Sequence, residues 1–374
     1  MGNVKVGVIG IGYMGRTYAL QLDTGLVEGA VLTAVCGRIQ QLEDIKMQVK
    51  GNVQCYQDED VFLQESGIDA VIIATPHFSH PEIAKKAFAK GIHVLVEKPA
   101  GVYSKHVIEM NESARKSGKV FAVMLNQRIN PLYQKLRELI QKGELGEIKR
   151  TNWIITDWYR PQSYYDLSSW RATWKGEGGG VLLNQAPHQL DLWQWITGLR
   201  LKRVHAFCHY GKYHDIEVED DVTAYVEYEN GATGVFIAST GEAPGTNRFE
   251  IVGDYGKLVV ENNALTFFKL AQSEREFNAT FKGGFGMPEY QRIDIPVDSG
   301  NPGHLGLIQN WVNGILHRTP LLAPGEDGLQ SVDIANAIYL SSWMNQTVEF
   351  PVDADLYYEK LQEKIKQSTL NLSK

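Results

Sequence analysis

The sequence predicts an α/β fold in two parts: a doubly wound parallel sheet near the start, then an α+β region with a large, mostly antiparallel open sheet. Up to about residue 125, short apolar segments alternate with amphipathic helical segments; from Val204 to Leu270, strand-like segments follow one another without helices between them. The 374 residues also exceed what one ordinary hydrophobic core accommodates. We therefore predict two domains, residues 1–125 and residues 126–374.

The parallel sheet is predicted from strands that are apolar throughout, because such strands are typical of a sheet covered by helices on both faces. In the helical segment Pro81–Lys90 the apolar side chains share one face, and Gly91 ends the helix. A second helix is predicted for Ser104–Lys116. The predicted strands are Val4–Ile9, Val31–Cys36, Ala70–Ala74, His93–Val96 and Val120–Leu125.

The second domain is predicted from strands in series, two of which are joined by Asn230-Gly231, the pair that tight hairpin turns prefer. Strands in series form antiparallel pairs, and helices then cover one face of the sheet. The predicted strands are Lys149–Thr156, Val204–Tyr210, Asp221–Tyr228, Thr233–Ser239, Phe249–Val252, Lys257–Glu261 and Leu265–Leu270. The predicted helices are Pro131–Gln141, a segment ending near Gly198, Leu305–Leu316, Gly328–Asn345 and Asp355–Ser368.

A glycine-rich hexapeptide connects the first predicted strand to a helix, and in this position it predicts a dinucleotide site. Gly10 permits a tight turn, Gly12 lets backbone N–H groups approach a pyrophosphate, and Gly15 lets the helix pack closely on the strand. The positive end of the helix then faces the anion. We predict a Rossmann domain in which Tyr13 and Met14 also belong to the cofactor-binding residues.

The end of the second strand predicts which dinucleotide binds. In a domain of this kind, a carboxylate about twenty residues past the glycine turn bonds the ribose 2′-hydroxyl of NAD. Here the chain reads Cys36-Gly37-Arg38, in which the arginine can pair with a 2′-phosphate and the glycine leaves space. We predict NADP as the preferred cofactor, with NAD as the alternative. Another interpretation is that Arg38 only solvates the helix start or stacks on adenine.

Three further motifs occur in order along the chain. Ala74-Thr75-Pro76 follows the fourth main strand, Glu97-Lys98-Pro99 ends the next one, and Gly178–Asp191 reads GGGVLLNQAPHQLD. Together with the glycine turn, these motifs resemble the Gfo/Idh/MocA oxidoreductases, the glucose–fructose oxidoreductase and inositol dehydrogenase family, over nearly the whole chain. The resemblance implies a Rossmann domain followed by an α/β domain whose open sheet pairs subunits into a homodimer or homotetramer.

The resemblance also implies roles for particular residues. Lys98 matches the family lysine that contacts the nicotinamide ribose and the substrate hydroxyl, and His188 matches the acid/base histidine. Many relatives carry aspartate four residues before that histidine, where this chain has Asn184, which cannot titrate. The resemblance also implies four further cofactor-binding residues: Thr75, Pro76, Glu97 and Lys98.

Oxidation of a secondary alcohol needs a base within hydrogen-bond reach of the hydroxyl. His188 suits this task; Lys98 either acts as the base when deprotonated or stabilises a developing alkoxide when protonated. A helix would place Asn184, His188 and Asp191 on one face, and it either starts near Asn184 or kinks at Pro187. We therefore predict Lys98, His188 and Asn184 as the catalytic residues.

The segment Trp158–Trp174, dense in aromatic and arginine residues, is predicted to line the substrate pocket. Sugars present apolar C–H faces ringed by hydroxyl groups, which suit aromatic rings with polar tips. As alternatives, the segment is a packed interdomain loop, or Arg171 contacts the cofactor diphosphate. The predicted substrate-binding residues are Lys98, Tyr159, Tyr164, Trp170, Arg171, Asn184 and His188.

Composition argues against several other classes of protein. A net charge of −7 disfavours nucleic acid or an anionic membrane as the main partner, and no apolar run has the length of a spanning helix. A strand-like segment at the start leaves no room for a signal peptide, and three widely spaced cysteines are expected to be reduced thiols, so we predict a cytoplasmic protein. The spacing of His205, His209 and His214 follows a strand, so no metal site is predicted.

The sequence thus predicts an NAD(P)-dependent dehydrogenase or reductase that acts on a hydroxyl or keto carbon of a sugar, cyclic polyol or related small carbohydrate. Two alternatives stay open. A glycosidase that retains NAD would cleave glycosides without net cofactor turnover. A non-catalytic sensor on the same fold would bind dinucleotide without turnover, although Lys98 and His188 argue against it.

Overall fold

The computed structural model describes residues 2–168 and 170–368, and its strands form two sheets. The first six strands are β1 (Val4–Ile9), β2 (Ala30–Cys36), β3 (Gln54–Tyr56), β4 (Ala70–Ile73), β5 (His93–Val96) and β6 (Phe121–Val123). They pair in the parallel order β3-β2-β1-β4-β5-β6, a doubly wound topology, which confirms the predicted parallel sheet. The short edge strand β3 was not predicted, because three residues are too few for a periodic pattern.

Five helices connect these strands: α1 (Tyr13–Asp23), α2 (Ile39–Lys46), α3 (Glu59–Glu65), α4 (His80–Ala89) and α5 (Ser104–Ser117). The side chain of Asp58 caps α3 by accepting hydrogen bonds from the backbone N–H groups of Asp60 and Val61. Gly118, with φ of 63°, ends α5 in the left-handed conformation that glycine adopts readily. The helices predicted at residues 81–90 and 104–116 are α4 and α5.

The second sheet contains nine strands: β7 (Ile148–Ile155), β8 (Leu201–Tyr210), β9 (Glu219–Tyr228), β10 (Thr233–Ser239), β11 (Asn247–Gly253), β12 (Gly256–Glu261), β13 (Ala264–Leu270), β14 (Tyr290–Ile295) and β15 (Val348–Glu349). Their order is β14-β13-β12-β11-β7-β10-β9-β8-β15. Neighbouring strands are antiparallel except for β7 and β10, which are parallel. The predicted large, mostly antiparallel sheet is therefore confirmed.

The later helices are α6 (Pro131–Gln141), α7 (Gln162–Asp166), α8 (Val181–Asn184), α9 (Pro187–Thr197), α10 (Glu274–Thr280), α11 (Gly303–His317), α12 (Gly328–Met344) and α13 (Ala354–Gln367). The single helix expected from Asn184 through Asp191 is wrong. Asn184 ends α8, and Pro187 begins α9, because a proline is tolerated in the first turn of a helix but not in its interior. Asn184 and His188 therefore belong to different helices.

The chain forms two compact units, each with its own core. The first consists of Met1–Ile129, Gly176–Gly178 and Pro302–Asp333, and the second of Asn130–Lys175, Gly179–Asn301 and Ile334–Lys374. In the first unit, buried residues of α11 such as Trp311 join the core of the parallel sheet. In the second, Trp153 stacks on Phe249 with ring centres 4.1 Å apart, and Trp193 packs on Phe236.

Within the described ranges, no helix combines the length and the apolar character that a bilayer crossing requires. The three cysteines, Cys36, Cys55 and Cys208, form no disulfide.

Candidate active site

The glycine turn between β1 and α1 is shaped by contacts that a side chain would prevent. Gly10 has φ of 89°, and a Cβ there would lie 2.6 Å from the carbonyl of Ala74. A Cβ on Gly15 would lie 1.9 Å from the carbonyl oxygen of Gly10. At Gly12, by contrast, a Cβ would meet nothing within 4 Å. Open space at the start of an 11-residue helix fits a pyrophosphate, which the backbone N–H groups and the helix dipole attract.

Two segments next to the glycine turn contain further predicted cofactor-binding residues: the start of α1 and the residues that follow β2. Tyr13, the first residue of α1, is 87% exposed, and Met14 is half-buried against the core. Gly37 and Arg38 follow β2, and the exposed Arg38 precedes α2. The Arg38 side chain forms no ion pair with any residue of the described ranges. Its guanidinium is therefore available to an anion.

The segment after β4 is bound to the segment after β5 by one histidine. His80 is fully buried; its Nε2 lies 2.7 Å from the carbonyl oxygen of Thr75, and its Nδ1 lies 2.8 Å from that of Pro99. Burial lowers the pKa of His80, and the charge of Lys98 acts in the same direction. The Ser79 hydroxyl donates to Thr75 Oγ1 at 2.7 Å. His80 thereby fixes the backbone on both sides of the predicted ligand edge.

Lys98 is half-buried directly after β5, next to a buried carboxyl group. Glu97 accepts a hydrogen bond from the Tyr18 hydroxyl at Oε1 and one from the Lys98 backbone N–H at Oε2, 2.9 Å away. Burial raises the pKa of Glu97, and the positive charge of Lys98 opposes that rise. Burial also lowers the pKa of His304 at the start of α11, and Lys98 lowers it further. Both carboxyl oxygens of Glu97 therefore accept hydrogen bonds from groups of the protein.

The predicted cofactor residues of the first unit lie at one edge of its sheet. β1, β4 and β5 are adjacent and parallel, so their carboxyl ends present the glycine turn, Thr75 and Lys98 side by side. This is the edge at which doubly wound sheets bind ligands, where the strand order reverses beside β1. The geometry of this edge fits a dinucleotide.

In the second unit, α8 and α9 carry the other predicted catalytic residues. Asn184 is half-buried at the end of α8. His188 and Asp191 are both buried and lie three residues apart in α9, which places them on one side of that helix. Pro187 is the first residue of α9, so His188 lies in its first turn.

A buried carboxylate that the sequence analysis missed holds the start of α8. Glu219 accepts hydrogen bonds from the backbone N–H groups of Gly180 and Leu182, each at 2.9 Å, and from the Tyr339 hydroxyl at 2.7 Å. A Cβ on Gly180 would lie 2.0 Å from the Glu219 carbonyl oxygen, which explains the glycine. Burial raises the pKa of Glu219 to about 7. Three consecutive carboxylates, Glu219 to Asp221, at the start of a predicted strand were the available signal.

The segment after β7 brings together Tyr164, Trp170 and Arg171, three of the predicted pocket residues. The guanidinium carbons of Arg160 and Arg171 lie 5.0 Å and 4.7 Å from the centre of the Tyr164 ring, and we call these three residues the arginine–tyrosine cluster. Arg171 also lies over Trp170, 4.8 Å from its ring centre. Tyr159 is 49% exposed. The sequence analysis did not assign Arg160 to the pocket, although it lies in the aromatic segment.

The cluster is joined to the α8–α9 motif by a residue that sequence reasoning also missed. Gln185 Nε2 donates to the Tyr164 hydroxyl at 3.4 Å, and Gln185 directly follows Asn184. Beneath the same segment, His214 lies 2.9 Å from Asp220 through Nδ1 and 2.7 Å from the Arg160 carbonyl through Nε2. The loop that bears the cluster is therefore held on the second sheet.

Across the described residues, one group of side chains has the geometry of metal ligands: Glu82, His106 and Glu109. Lys85 forms ion pairs with Glu82 and Glu109 at 2.8 Å and 3.0 Å, so a cation already balances these carboxylates. His205, His209 and His214 do not belong to this group of possible metal ligands. The absence of a metal site stays a prediction.

Models of one protein family match both parts of the chain. The model of the oxidoreductase family with an NAD-binding Rossmann fold matches residues 4–125, and that of the Gfo/Idh/MocA C-terminal domain matches residues 133–259. The chain belongs to the Gfo/Idh/MocA oxidoreductase family. The resemblance found in the motifs is confirmed, and the chain is an NAD(P)-dependent oxidoreductase.

Two characterised relatives are similar over most of the chain. Myo-inositol 2-dehydrogenase of Thermotoga maritima is 22% identical over 333 residues, which cover 87% of this chain and 92% of that protein. The NAD⁺-dependent scyllo-inositol 2-dehydrogenase of Bacillus subtilis is 25% identical over 264 residues, which cover 69% and 73% of the two chains.

Solved structures share the whole fold. The WlbA dehydrogenase of Chromobacterium violaceum, in complex with NADH and UDP-GlcNAcA, superposes with a TM-score of 0.81 at 25% identity and covers 94% of this chain and 97% of that one. Levoglucosan dehydrogenase in complex with NADH superposes with a TM-score of 0.78 at 20% identity, over 94% of this chain and all of that one. The second comparison shows the fold alone.

Proposed function

We propose that this enzyme oxidises a CH–OH group of a sugar, cyclic polyol or related small carbohydrate, or reduces the corresponding carbonyl, with a nicotinamide dinucleotide as redox partner. The observation that carries the proposal is the position of Lys98, which follows β5 at the sheet edge that also presents the glycine turn. An ammonium group there can act on a substrate oxygen. Similarity to two inositol dehydrogenases supports a cyclic polyol or sugar as the substrate class.

The first unit would hold the dinucleotide mainly through its backbone. The N–H groups at the start of α1, above Gly12, would bind the pyrophosphate, and Thr75 and Pro76 would line the adjoining strand end. When bound, the dinucleotide supplies the nicotinamide carbon that accepts or donates the hydride. Glu97 supports this edge from below, because its carboxyl group ties α1 to the end of β5 through Tyr18.

Lys98 and His188 divide the proton chemistry in this proposal. Lys98 orients the substrate hydroxyl and, as an ammonium, stabilises the negative charge that develops on oxygen when the O–H bond breaks. His188 takes the hydroxyl proton during oxidation and returns it during reduction, because an imidazole nitrogen can accept a proton and release it again. Asn184 bonds a second hydroxyl without any change of charge.

NADP is the preferred dinucleotide in this proposal, with NAD as the alternative. The support is Arg38, which is exposed after β2 and has no ion-pair partner in the described part of the chain, so that it can bind a 2′-phosphate. The solved relatives hold NADH, so the preference rests on Arg38 alone.

The substrate would lie against the aromatic segment of the second unit. Tyr159 is 49% exposed, so its ring can pack on sugar C–H groups. Arg171 lies over the rings of Tyr164 and Trp170, and these three residues would bind substrate oxygens through their polar atoms. The ligands named for the relatives, inositols and a UDP-linked sugar, all carry such C–H faces and hydroxyl groups.

We also propose that the chain forms a homodimer or homotetramer through the open face of the second sheet. Phe207 and Tyr225 are 55% and 44% exposed on neighbouring strands of that sheet, and His205 pairs with Tyr225 in the strand register. Exposed aromatic side chains in such a patch are typical of an interface. Light scattering during gel filtration measures the assembly directly; a monomer at micromolar concentration would contradict the proposal.

The function is tested with a panel of cyclic polyols, aldoses and keto-sugars, each assayed with both cofactors in both directions by nicotinamide absorbance. We expect turnover with at least one member. Dinucleotide binding without turnover of any member would contradict the proposal. So would cleavage of a glycoside without net change in nicotinamide absorbance.

A further inference from the structure

The strand β14 lies at one end of the nine-stranded sheet and leaves a strand edge open. It pairs with β13 on one side, and no other strand of the described ranges pairs with its second side. All its residues are exposed except the last, Ile295, which is half-buried. An open edge presents backbone N–H and C=O groups that another strand can bind. β14 contains neither proline nor lysine, the residues with which edge strands commonly prevent such pairing.

The chain leading into β14 and the strand itself also expose large apolar side chains. Phe285 is fully exposed, and Met287 is 71% exposed. The complete set in this segment is Phe281, Phe285, Met287, Tyr290 and Ile293. Apolar side chains concentrated in one exposed segment are typical of a surface that another protein covers.

Two opposite charges lie on one face of β14. Arg292 and Asp294 are two residues apart in the strand, so their side chains point to the same side. Arg292 Nη2 lies 3.2 Å from Asp294 Oδ1, which also accepts a hydrogen bond from the Thr266 hydroxyl at 3.0 Å. Among the described residues, no group binds Asp294 Oδ2 or Arg292 Nη1. Each side chain can therefore bind a second, opposite charge.

The order of these charges makes β14 complementary to itself. Two copies that pair antiparallel about a two-fold axis place side chains of one face opposite each other, so the axis passes through a residue position and not between two. With the axis at Ile293, Arg292 of each copy lies opposite Asp294 of the other. With the axis at Arg292 or at Asp294, like charges would lie opposite each other. Only the register centred on Ile293 pairs the two charges.

We propose that β14 is a contact surface for a second copy of this chain, whose β14 adds antiparallel at the sheet edge with the two Ile293 side chains opposite each other. The four charges from Arg292 and Asp294 of both copies then alternate in sign around the axis. The ladder covers residues 291–295, because Pro296 cannot donate a backbone hydrogen bond. This contact uses the edge of the sheet, whereas the homo-oligomer contact proposed above uses its open face.

The first test reverses the charges and measures the mass of the full-length protein by light scattering. Arg292→Asp and Asp294→Arg each place like charges opposite each other twice, so self-association should weaken by about tenfold or more. At a concentration where the wild type is assembled, the mass should fall to half, whether the wild type is a dimer or, with the open face also in contact, a tetramer. The double variant Arg292→Asp/Asp294→Arg pairs opposite charges again and should regain the wild-type mass.

Two controls accompany the charge reversals. Arg200→Asp changes an exposed arginine outside β14 by the same amount of charge and should keep the wild-type mass. Urea unfolding checks that each variant is folded, which we expect because the side chains of Arg292 and Asp294 are 65% and 71% exposed.

The second test measures the register by disulfide formation. In Ile293→Cys the introduced thiols of two copies lie opposite each other, with Cβ atoms about 4.5–5.5 Å apart, close enough for a disulfide after small adjustments. In Gln291→Cys, the matched control on the same side of the strand, each thiol lies opposite residue 295 of the other copy. Mild oxidation should therefore give a covalent dimer from Ile293→Cys and little from Gln291→Cys. The wild type, whose Cys36, Cys55 and Cys208 are buried or half-buried, gives the background.

Three outcomes would overturn the edge contact. One is an unchanged mass in both single charge reversals. Another is dissociation in the single variants that the double variant does not repair, since the charges would then not be partners. The third is a disulfide that forms as readily in Gln291→Cys as in Ile293→Cys. None of them bears on the proposed function.

Discussion

The glycine turn of the first unit and the α8–α9 region of the second are built in opposite ways. At the turn, backbone packs on backbone, so a Cβ on Gly15 would lie 1.9 Å from the Gly10 carbonyl oxygen. In the α8–α9 region, the side chain of Glu219 holds the backbone of Gly180 and Leu182. If the proposed function is right, dinucleotide binding depends on the absence of side chains at the glycine turn, whereas substrate binding depends on the side chains of the α8–α9 region. We therefore expect the glycine turn to tolerate few substitutions and the α8–α9 region to tolerate more of them.

The largest expected effect separates chemistry from dinucleotide binding. Lys98→Ala and His188→Ala should each lower kcat by about 10²–10⁴-fold, because each removes a group that moves or stabilises charge at the reacting oxygen. Dinucleotide affinity, measured by fluorescence titration, should change little, because backbone N–H groups make most of the proposed contacts with the dinucleotide. Wild-type turnover in either variant would show that its assigned role is wrong.

A pair of alanine variants tests whether the glycine turn depends on absent side chains. Gly12→Ala has open space for its Cβ, so the free energy of unfolding should be unchanged while dinucleotide affinity falls about tenfold or more. Gly15→Ala clashes with backbone, so the free energy of unfolding itself should fall by about 1–3 kcal/mol. Denaturant unfolding and dinucleotide titration measure the two quantities. If Gly12→Ala and Gly15→Ala changed the free energy of unfolding and the dinucleotide affinity equally, the proposed difference between the two glycines would be wrong.

The corresponding test of the α8–α9 region is a dependence of stability on pH. Because burial raises the pKa of Glu219 from 4.5 to about 7, the folded state retains its proton longer than the unfolded state. The contribution of Glu219 to stability is therefore complete below about pH 4.5 and is lost as pH rises through about 7. Glu219→Gln cannot ionise and offers one acceptor oxygen where two are used.

We expect Glu219→Gln to be less stable than the wild type by about 1–3 kcal/mol at low pH, and this deficit to shrink by roughly 1–2 kcal/mol towards pH 8. Urea unfolding at several pH values measures it. Glu229→Gln, at an exposed carboxylate, is the control and should show a small difference at every pH. A deficit for Glu219→Gln that does not vary with pH would contradict the buried, proton-retaining carboxyl group.

The smallest expected effect concerns Arg38, the residue on which the proposed preference for NADP over NAD depends. Arg38→Ala should lower kcat/KM for NADP by about tenfold and leave that for NAD nearly unchanged, because only NADP carries a 2′-phosphate. Steady-state kinetics with both cofactors measure the ratio. Equal losses with both cofactors would instead indicate that Arg38 supports the start of α2 or stacks on adenine.

The sequence alone determined the features that depend on neighbouring residues. Periodicity and continuous apolar runs identified the strands β1, β2, β4, β5 and β6, and the glycine spacing identified the turn before α1. Asn230-Gly231 identified the hairpin between β9 and β10. These signals are local, because steric limits on the backbone and the burial of one face act over a few residues. Motif order then sufficed to recognise the family.

Only the tertiary structure decided which distant residues are partners. Nothing in the local pattern pairs Glu219 with Gly180, His80 with Pro99, or Tyr164 with two arginines. It also decided that residues 302–333 join the first unit and that β7 runs parallel to β10. A buried polar group takes whichever partner the folded chain brings within hydrogen-bond reach. That choice depends on the packing of whole elements and leaves no periodic trace in the sequence.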